Sequence, residues 1–523
     1  MAEAERARTV VDEEKQLEPP PLTASSHATS KSSSTDSASE NAPPDGADPS
    51  RHQSNIEKGL PAIVPIEGRV STVQSDPSGP NVVDWDSSDD AAKALNWPGK
   101  KKFRNIAVIS SITFLTPLAS SMFAPAIPEL LPEFHSTNQT IASFVVSVYV
   151  LGYAIGPLII APLSELYGRL VVYHCCNVLF IIFTIACAVA PNMGSLVFFR
   201  LVEGCAGSAP LTIGGGSIAD MIGQEKRGGA MAIFALGPLL GPVMGPVAGG
   251  YLSQAKGWRW TFWVITMAAG ALAISSFIFM RETYEPTLLG RRAARLRKET
   301  NNPDLRSKFD DPTRRRRDVF LKAIIRPSKM LLLSPIVFAL SLYMAIVYGY
   351  LYLLFTTITL VFERNYGFSS GNVGLAFLGI GVGSILGLVI FGLASDMIVK
   401  RMSKKGEMKP EYRLPPLIPG SLLIPLGLFW YGWTAEKGVH WIVPILGTMW
   451  VGLGLLATFM PINVYLVDAY TIHAASALAA STVLRSLAGA FLPLAGPKMY
   501  AALGLGWGNS LLAFIALAMS PVT

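Results

Sequence analysis

Charge is scarce in this chain. Asp, Glu, Lys and Arg make up only 15% of its 523 residues, hydrophobic types make up 50%, and the mean hydropathy is +0.40. A soluble chain of this length would form several domains with well-charged surfaces. The first hundred residues are polar, so the apolar content is concentrated downstream. Cysteine is equally sparse. Cys175, Cys176, Cys187 and Cys205 all sit in apolar runs, which excludes a loop disulfide framework or a metal-ligand spacing and leaves them as small buried hydrophobes. No G-x-x-x-x-G-K-[ST] loop occurs, which excludes an ATP-driven pump. His174 and His440 are isolated, and no Ser/His/Asp or metal constellation supports a membrane enzyme, so neither catalysis nor a cofactor is expected. The polar start has no short apolar core of the kind a signal peptide carries.

What the chain does have is a series of apolar runs, each near the roughly 20 residues that a helix needs to cross a bilayer. They fall at about 105–127, 140–162, 171–190, 195–219, 229–253, 260–280, 332–362, 371–397, 414–434, 441–467, 474–496 and 503–522. The predicted class is therefore an all-α membrane protein of twelve helices in two pseudo-symmetric six-helix halves, 96–280 and 332–523. Residues 1–95 lack apolar periodicity and are expected to be disordered. The segment 281–331 is expected to be a basic, solvated central loop.

Lys and Arg set the topology. Arg169, Lys226, Arg227, Lys400, Arg401, Lys404, Lys405, Lys409 and Arg413 fall on one side, together with the central run of Arg291, Arg292, Arg295, Arg297, Lys298 and Arg314 to Arg317. The loop from Pro128 to Gln139 carries Glu129 and Glu133 and no base. The N-terminus and central loop are thus expected in the cytoplasm, and the net charge of +7 reflects topology, not nucleic acid. Asn138 begins a glycosylation sequon on the outer side, close to the membrane. Asp84-Trp85-Asp86 and Asn96-Trp97-Pro98 close the tail, with docking beside the first helix or interfacial anchoring as equal readings.

The densest pattern is Gly237 to Gly250. Gly237, Gly241, Gly245 and Gly249 recur every four residues, followed by Gly250, and Pro238, Pro242 and Pro246 run beside them. On a helix that spacing makes a stripe without side chains, against which another helix can pack closely. Three interior prolines would break a helix in water, but apolar flanks place this one in lipid, where neighbours re-satisfy the freed carbonyls. The pattern resembles the antiporter motif of drug:proton antiporters of the major facilitator superfamily. From about residue 84 to 520 the chain is similar to that superfamily's fungal twelve-span branch, which includes fluconazole-resistance, polyamine and mycotoxin exporters. Members of the branch usually continue past the twelfth span, whereas here Thr523 follows soon after Pro521, with impaired trafficking or folding and a mispredicted or truncated gene end as the open readings.

The resemblance implies several roles. Ser164, Glu165, Gly168 and Arg169 match the family's gating motif, with Glu165 where the family has Asp, and Ser395 with Asp396 repeat it in the second half. In the outward-closed form such a carboxylate is expected to cap a helix N-terminus and pair with bases across the half interface. Arg200 lies inside the fourth span, where a charge is costly and functional by default, and Glu203 follows on nearly the same face. The pair is the candidate for proton coupling; Asp220 and Asp468, at predicted span ends, are weaker alternatives, and the first span holds no acid and so no coupling site. Tyr149, Tyr153, Tyr343, Tyr350 and the deep Arg485 are candidates for a substrate cavity, with Tyr348, Tyr352 and Phe355 nearby. Few acidic residues line it, which favours neutral or weakly cationic hydrophobic compounds over polyamines.

The leading expectation is a monomeric proton-coupled exporter of small hydrophobic compounds in the plasma membrane, with the vacuolar membrane as alternative. A polyamine exporter or a nutrient uptake permease is the competing reading. A membrane sensor would need a folded cytoplasmic domain, for which 1–95 and 281–331 lack the apolar content.

Overall fold

In lipid the backbone must satisfy its own polar groups, and each apolar run closes into a helix for that reason. The computed structural model describes residues 81–223, 227–310, 316–403, 410–470 and 474–522. After the short strand β1 (Val82–Val83) come α1 (Gly99–Ser121), the short α2 (Ile127–Glu133), α3 (Gln139–Tyr167) and α4 (Arg169–Ala188). Next are α5 (Met193–Gly207), α6 (Ala209–Met221), α7 (Arg227–Lys256) and α8 (Arg259–Phe279). A connecting segment holds α9 (Glu285–Thr300), β2 (Arg306–Ser307) and α10 (Arg316–Leu333). The second half comprises α11 (Pro335–Tyr366), α12 (Ser370–Ala376), α13 (Leu378–Ser403), α14 (Leu417–Glu436), α15 (Ile442–Tyr470) and α16 (Ala474–Met519). α5 and α6 form one span with a break at Ser208, where Pro210 removes a backbone donor.

Eleven helical segments among the described residues are long and apolar enough to cross a membrane. The last of them is two spans. If straight, α16 would be about 69 Å long, more than twice the hydrocarbon thickness. It is not straight, because Gly504 adopts φ 74° and ψ 176°. Gly349 of α11 lies against Ala488 and Leu492, while the adjacent Tyr350 donates its hydroxyl hydrogen to the Leu512 carbonyl at 2.8 Å. Leu492 and Leu512 would lie about 30 Å apart on a straight helix, so the chain reverses at Gly504 and crosses twice. The described residues make twelve passes.

The largest apolar core joins α11, α14, α15 and α16, and separate cores fill the first half, one of them around Phe123, Trp258 and Phe262. The halves meet along α3 and α16, where Ser147 Oγ donates to the Ala490 carbonyl at 2.8 Å. They meet again where Ser120 Oγ lies 3.1 Å from the Tyr352 hydroxyl, and where the Gly371 N–H donates to Gln254 at 3.1 Å.

Disorder expected through residue 95 is corrected for 81–95, and 1–80 lie outside the described residues. Segment 81–97 docks on the central segment. β1 pairs in parallel with β2, Trp85 Nε1 donates to Glu285 at 2.5 Å, and Lys308 Nζ donates to Asp84 at 2.7 Å. Arg292 bridges Asp86 at 2.5 Å and Asp90 at 2.8 Å. Composition alone suggested two solvated pieces; what orders them is their opposite charge combined with the buried stripe of Leu289 and Ala293 on α9. Trp97 is buried, with Lys101 3.6 Å above its ring. The side chains of Arg314 to Arg317 lie outside the described residues.

The clasp has a definite response to salt and pH. The hydrogen bond from Lys308 holds the Asp84 carboxyl below the usual aspartate range. Its contribution is therefore complete above the unfolded aspartate value near 3.9 and is lost as pH falls through the lowered one. Amide hydrogen exchange across 81–97 is expected to be slow at neutral pH, faster at high salt, and fastest in Arg292→Ala, because that substitution removes both ion pairs.

Candidate functional site

Arg200 and Glu203 of α5 are both fully buried, one helical turn apart, with Nη1 3.2 Å from Oε2. The guanidinium also donates to the carbonyls of Ala119 at 3.2 Å, Ser120 at 3.1 Å and Val145 at 3.3 Å. Its partners on α1 have a local cause. α1 ends at Ser121, so the carbonyls of its last turn lack intrahelical partners and form the negative end of the helix dipole. Tyr149 lies beneath the cation, its ring centroid 4.5 Å from Cζ, and its hydroxyl donates to the Thr116 carbonyl at 2.9 Å. Glu203 accepts from Thr184 Oγ1 at 3.0 Å and from Cys187 Sγ at 3.5 Å. The cluster thus ties together α1, α3, α4 and α5. Cys187, read as a plain apolar residue, is instead a hydrogen-bond donor. No spacing in the sequence links Thr184 and Cys187 to Glu203, and only the packing of α4 on α5 does so.

α7 remains helical through Pro238, Pro242 and Pro246. Its glycine stripe lies on α1. A methyl on Gly237 would sit 2.9 Å from the Phe114 nitrogen, and one on Gly241 would sit 2.9 Å from the Leu118 nitrogen. Gly245 and Gly249 are tighter still, against Ser121 and the Met122 carbonyl. The stripe therefore runs along α1 to the end that Arg200 holds. Gly250 departs from it and faces the Ser370 carbonyl of the second half.

At the α3–α4 turn, Gly168 has φ +95° and Arg169 is held by three groups. Its Nη1 donates to Ser164 Oγ at 2.7 Å, its Nε is 3.6 Å from Asp220, and its Cζ is 4.7 Å from the Tyr284 ring centroid. The cap on α4 is Glu282, which accepts from the backbone nitrogens of Arg169 at 3.0 Å and Leu170 at 3.2 Å. Glu165 is exposed and makes no such cap among the described residues. The side chain of Asp396 lies outside the described residues. The second half has its own form of the pair: Arg413, at the entry to α14, is 3.4 Å from Asp468 near the end of α15. Asp220 and Asp468 are thus matching ion-pair partners in the two halves.

Part of the aromatic set faces the half interface. Tyr153 packs on Tyr149 with centroids 5.3 Å apart, and Tyr352 reaches Ser120. Tyr350 bonds to Leu512 and Tyr343 is buried in the core of the second half, so both differ from the expected cavity lining. Tyr348, Phe459 and Arg485 stand together instead. Asn138 is exposed, and its side-chain oxygen caps α3 by accepting from Thr140 N at 3.0 Å.

Comparison with known proteins agrees with this architecture. Residues 109–493 match the family model described as Major Facilitator Superfamily. The chain belongs to the major facilitator superfamily. Among fungal members it is 62% identical over 440 residues to the MFS-type transporter penM of Penicillium rubens, covering 84% of this chain and 86% of the relative. It is 55% identical over 443 residues to the efflux pump radE of Floropilus chiversii, covering 84% and 82%. A solved structure of the xylose transporter XylE from E. coli, partially occluded and inward open, shares the fold with a TM-score of 0.58 at 17% identity, covering 80% of this chain and 98% of that one. This superfamily protein is accordingly a membrane transporter of small molecules and not an enzyme.

Two measurements test the packing. Gly249→Val forces α7 away from α1, and the expected loss is about 1–3 kcal/mol. It should appear as a lower unfolding temperature of the purified protein, while Gly270→Ala, which meets nothing within 4 Å, leaves that temperature unchanged. Glu282→Ala removes the cap of α4 and should cost about 1 kcal/mol in the same assay.

Proposed function

We propose that the chain is a proton-coupled antiporter that exports small hydrophobic compounds by alternating access. The observation that carries this reading is the buried Arg200–Glu203 pair, whose guanidinium also holds the end of α1. A carboxylate at this depth takes or gives up a proton only together with a rearrangement of its partners, here the side chains of Arg200, Thr184 and Cys187, and Arg200 in turn holds backbone carbonyls of α1 and α3. Protonating Glu203 weakens its hold on Arg200, frees the guanidinium to redistribute among carbonyls, and loosens α1 against α3. The glycine stripe keeps α7 sealed on α1 during the change. The naming of a relative as an efflux pump supports the outward direction.

One proton moving down about 100 mV and one pH unit releases roughly 3.7 kcal/mol, enough for a gradient of a few hundredfold in a neutral solute. The face carrying α9 is cytoplasmic in this reading, because Lys and Arg gather there. The plasma membrane is the proposed location. Rocking of the halves would involve the Arg169–Asp220 and Arg413–Asp468 pairs, which lie at corresponding turns.

In proteoliposomes with an imposed pH gradient, a hydrophobic dye or fungal metabolite is expected to move against the proton flow. Glu203→Gln and Arg200→Ala should each abolish gradient-driven movement in protein that still folds and inserts. Undiminished transport by both variants would remove the pair from the mechanism, and movement of solute with the protons would identify an uptake permease.

A further inference from the structure

The two membrane arginines have opposite surroundings. Arg200 has a carboxylate and three backbone carbonyls. Arg485 has aromatic rings. Its Cζ is 5.2 Å from the Phe459 ring centroid and 5.4 Å from that of Tyr348. Its buried Nε makes no hydrogen bond, and no carboxylate among the described residues pairs with it. It sits about 16 Å along α16 from the helix start, near the middle of that pass. One turn further on, Gly489 packs against Tyr348 and against Val150 of α3, so this side of α16 looks onto the first half. Tyr348 in turn packs on Tyr352, 5.1 Å away, and Tyr352 touches Ser120 across the interface.

A guanidinium stays charged at any physiological pH, and at the middle of a bilayer an unpaired one is costly. Ring faces offset part of that cost, but they leave the planar N–H fork without an anion. We infer that Arg485, framed by Tyr348, Tyr352 and Phe459, is the anion-binding point of the substrate site, and that the cargo is an apolar organic acid. The acid group meets the guanidinium and the apolar body lies on the rings. This rests on the export reading for the location of the site and narrows its substrate class. It reverses the expectation of a neutral or weakly cationic compound, which followed from the scarcity of acids and took no account of the free cation. A weakly cationic ligand would be repelled at this position, whereas a carboxylate would complete it.

The test uses the full chain in nanodiscs, without a pH gradient, and two fluorescent probes, 1-pyrenebutyrate and its methyl ester. They share the ring system and differ in the charge. Wild-type protein is expected to bind the acid about tenfold or more tightly than the ester. Arg485→Lys should keep a preference for the acid, and in Arg485→Gln the ratio should fall to about one. Equal affinity of the two probes for the wild type, or an unchanged ratio in a folded Arg485→Gln protein, would overturn the assignment. If Arg485→Gln does not fold, Arg485→Met takes its place with the same expected ratio of about one, and equal affinity of the two probes for the wild type overturns the assignment without any variant. Since no proton gradient enters, failure here is separate from failure of the coupling mechanism, which the Glu203 variants report.

Discussion

A guanidinium in lipid must be satisfied by the protein itself, and the first half is arranged around that need at Arg200. Its only acidic partner among the described residues is Glu203, and the remaining donors go to backbone carbonyls at the end of α1 and in α3. α1 terminates there, so its last carbonyls require donors as much as the arginine requires acceptors. Each deficiency answers the other. The result fixes the end of α1 and places Ser120 where its hydroxyl meets Tyr352 of the second half. A change of charge at Glu203 therefore lies only a few bonds from the half interface.

The glycine stripe and the arginine cluster are two supports of the same helix. α7 lies close along α1 because four of its residues have no side chain, and α5 holds the end of α1 through Arg200. Together they pin α1 on two sides. The pairing of Arg169 with Asp220 and of Arg413 with Asp468 shows the same economy at the opposite ends of the helices. Each half locks the start of one helix to the end of the next, and the repetition marks the internal duplication of the fold.

The clasp built from 81–97 and the α9 segment shows how little apolar surface is needed when charges are complementary. Two buried residues on α9, a two-residue strand pair and four acid–base or indole contacts suffice to order it. Glu282, immediately before α9, carries the order on to the Gly168–Arg169 turn. Tail, central segment and the α3–α4 turn thus form one connected surface.

The sequence by itself determined the class of fold, because apolar runs of bilayer length can only be helices and the distribution of Lys and Arg gives them a common sense of direction. It also marked Arg200, Glu203 and the glycine stripe, since charge in lipid and repeated glycine are anomalies visible without coordinates. Only the tertiary structure decided the partners. That the stripe meets α1, that Glu282 rather than Glu165 caps α4, that Cys187 and Thr184 serve Glu203, and that Arg485 has rings but no carboxylate among the described residues all depend on residues distant in the chain. Periodicity reports which face of a helix is unusual. It carries no information on which other helix lies opposite, and the chemistry of a buried charge is set by that neighbour.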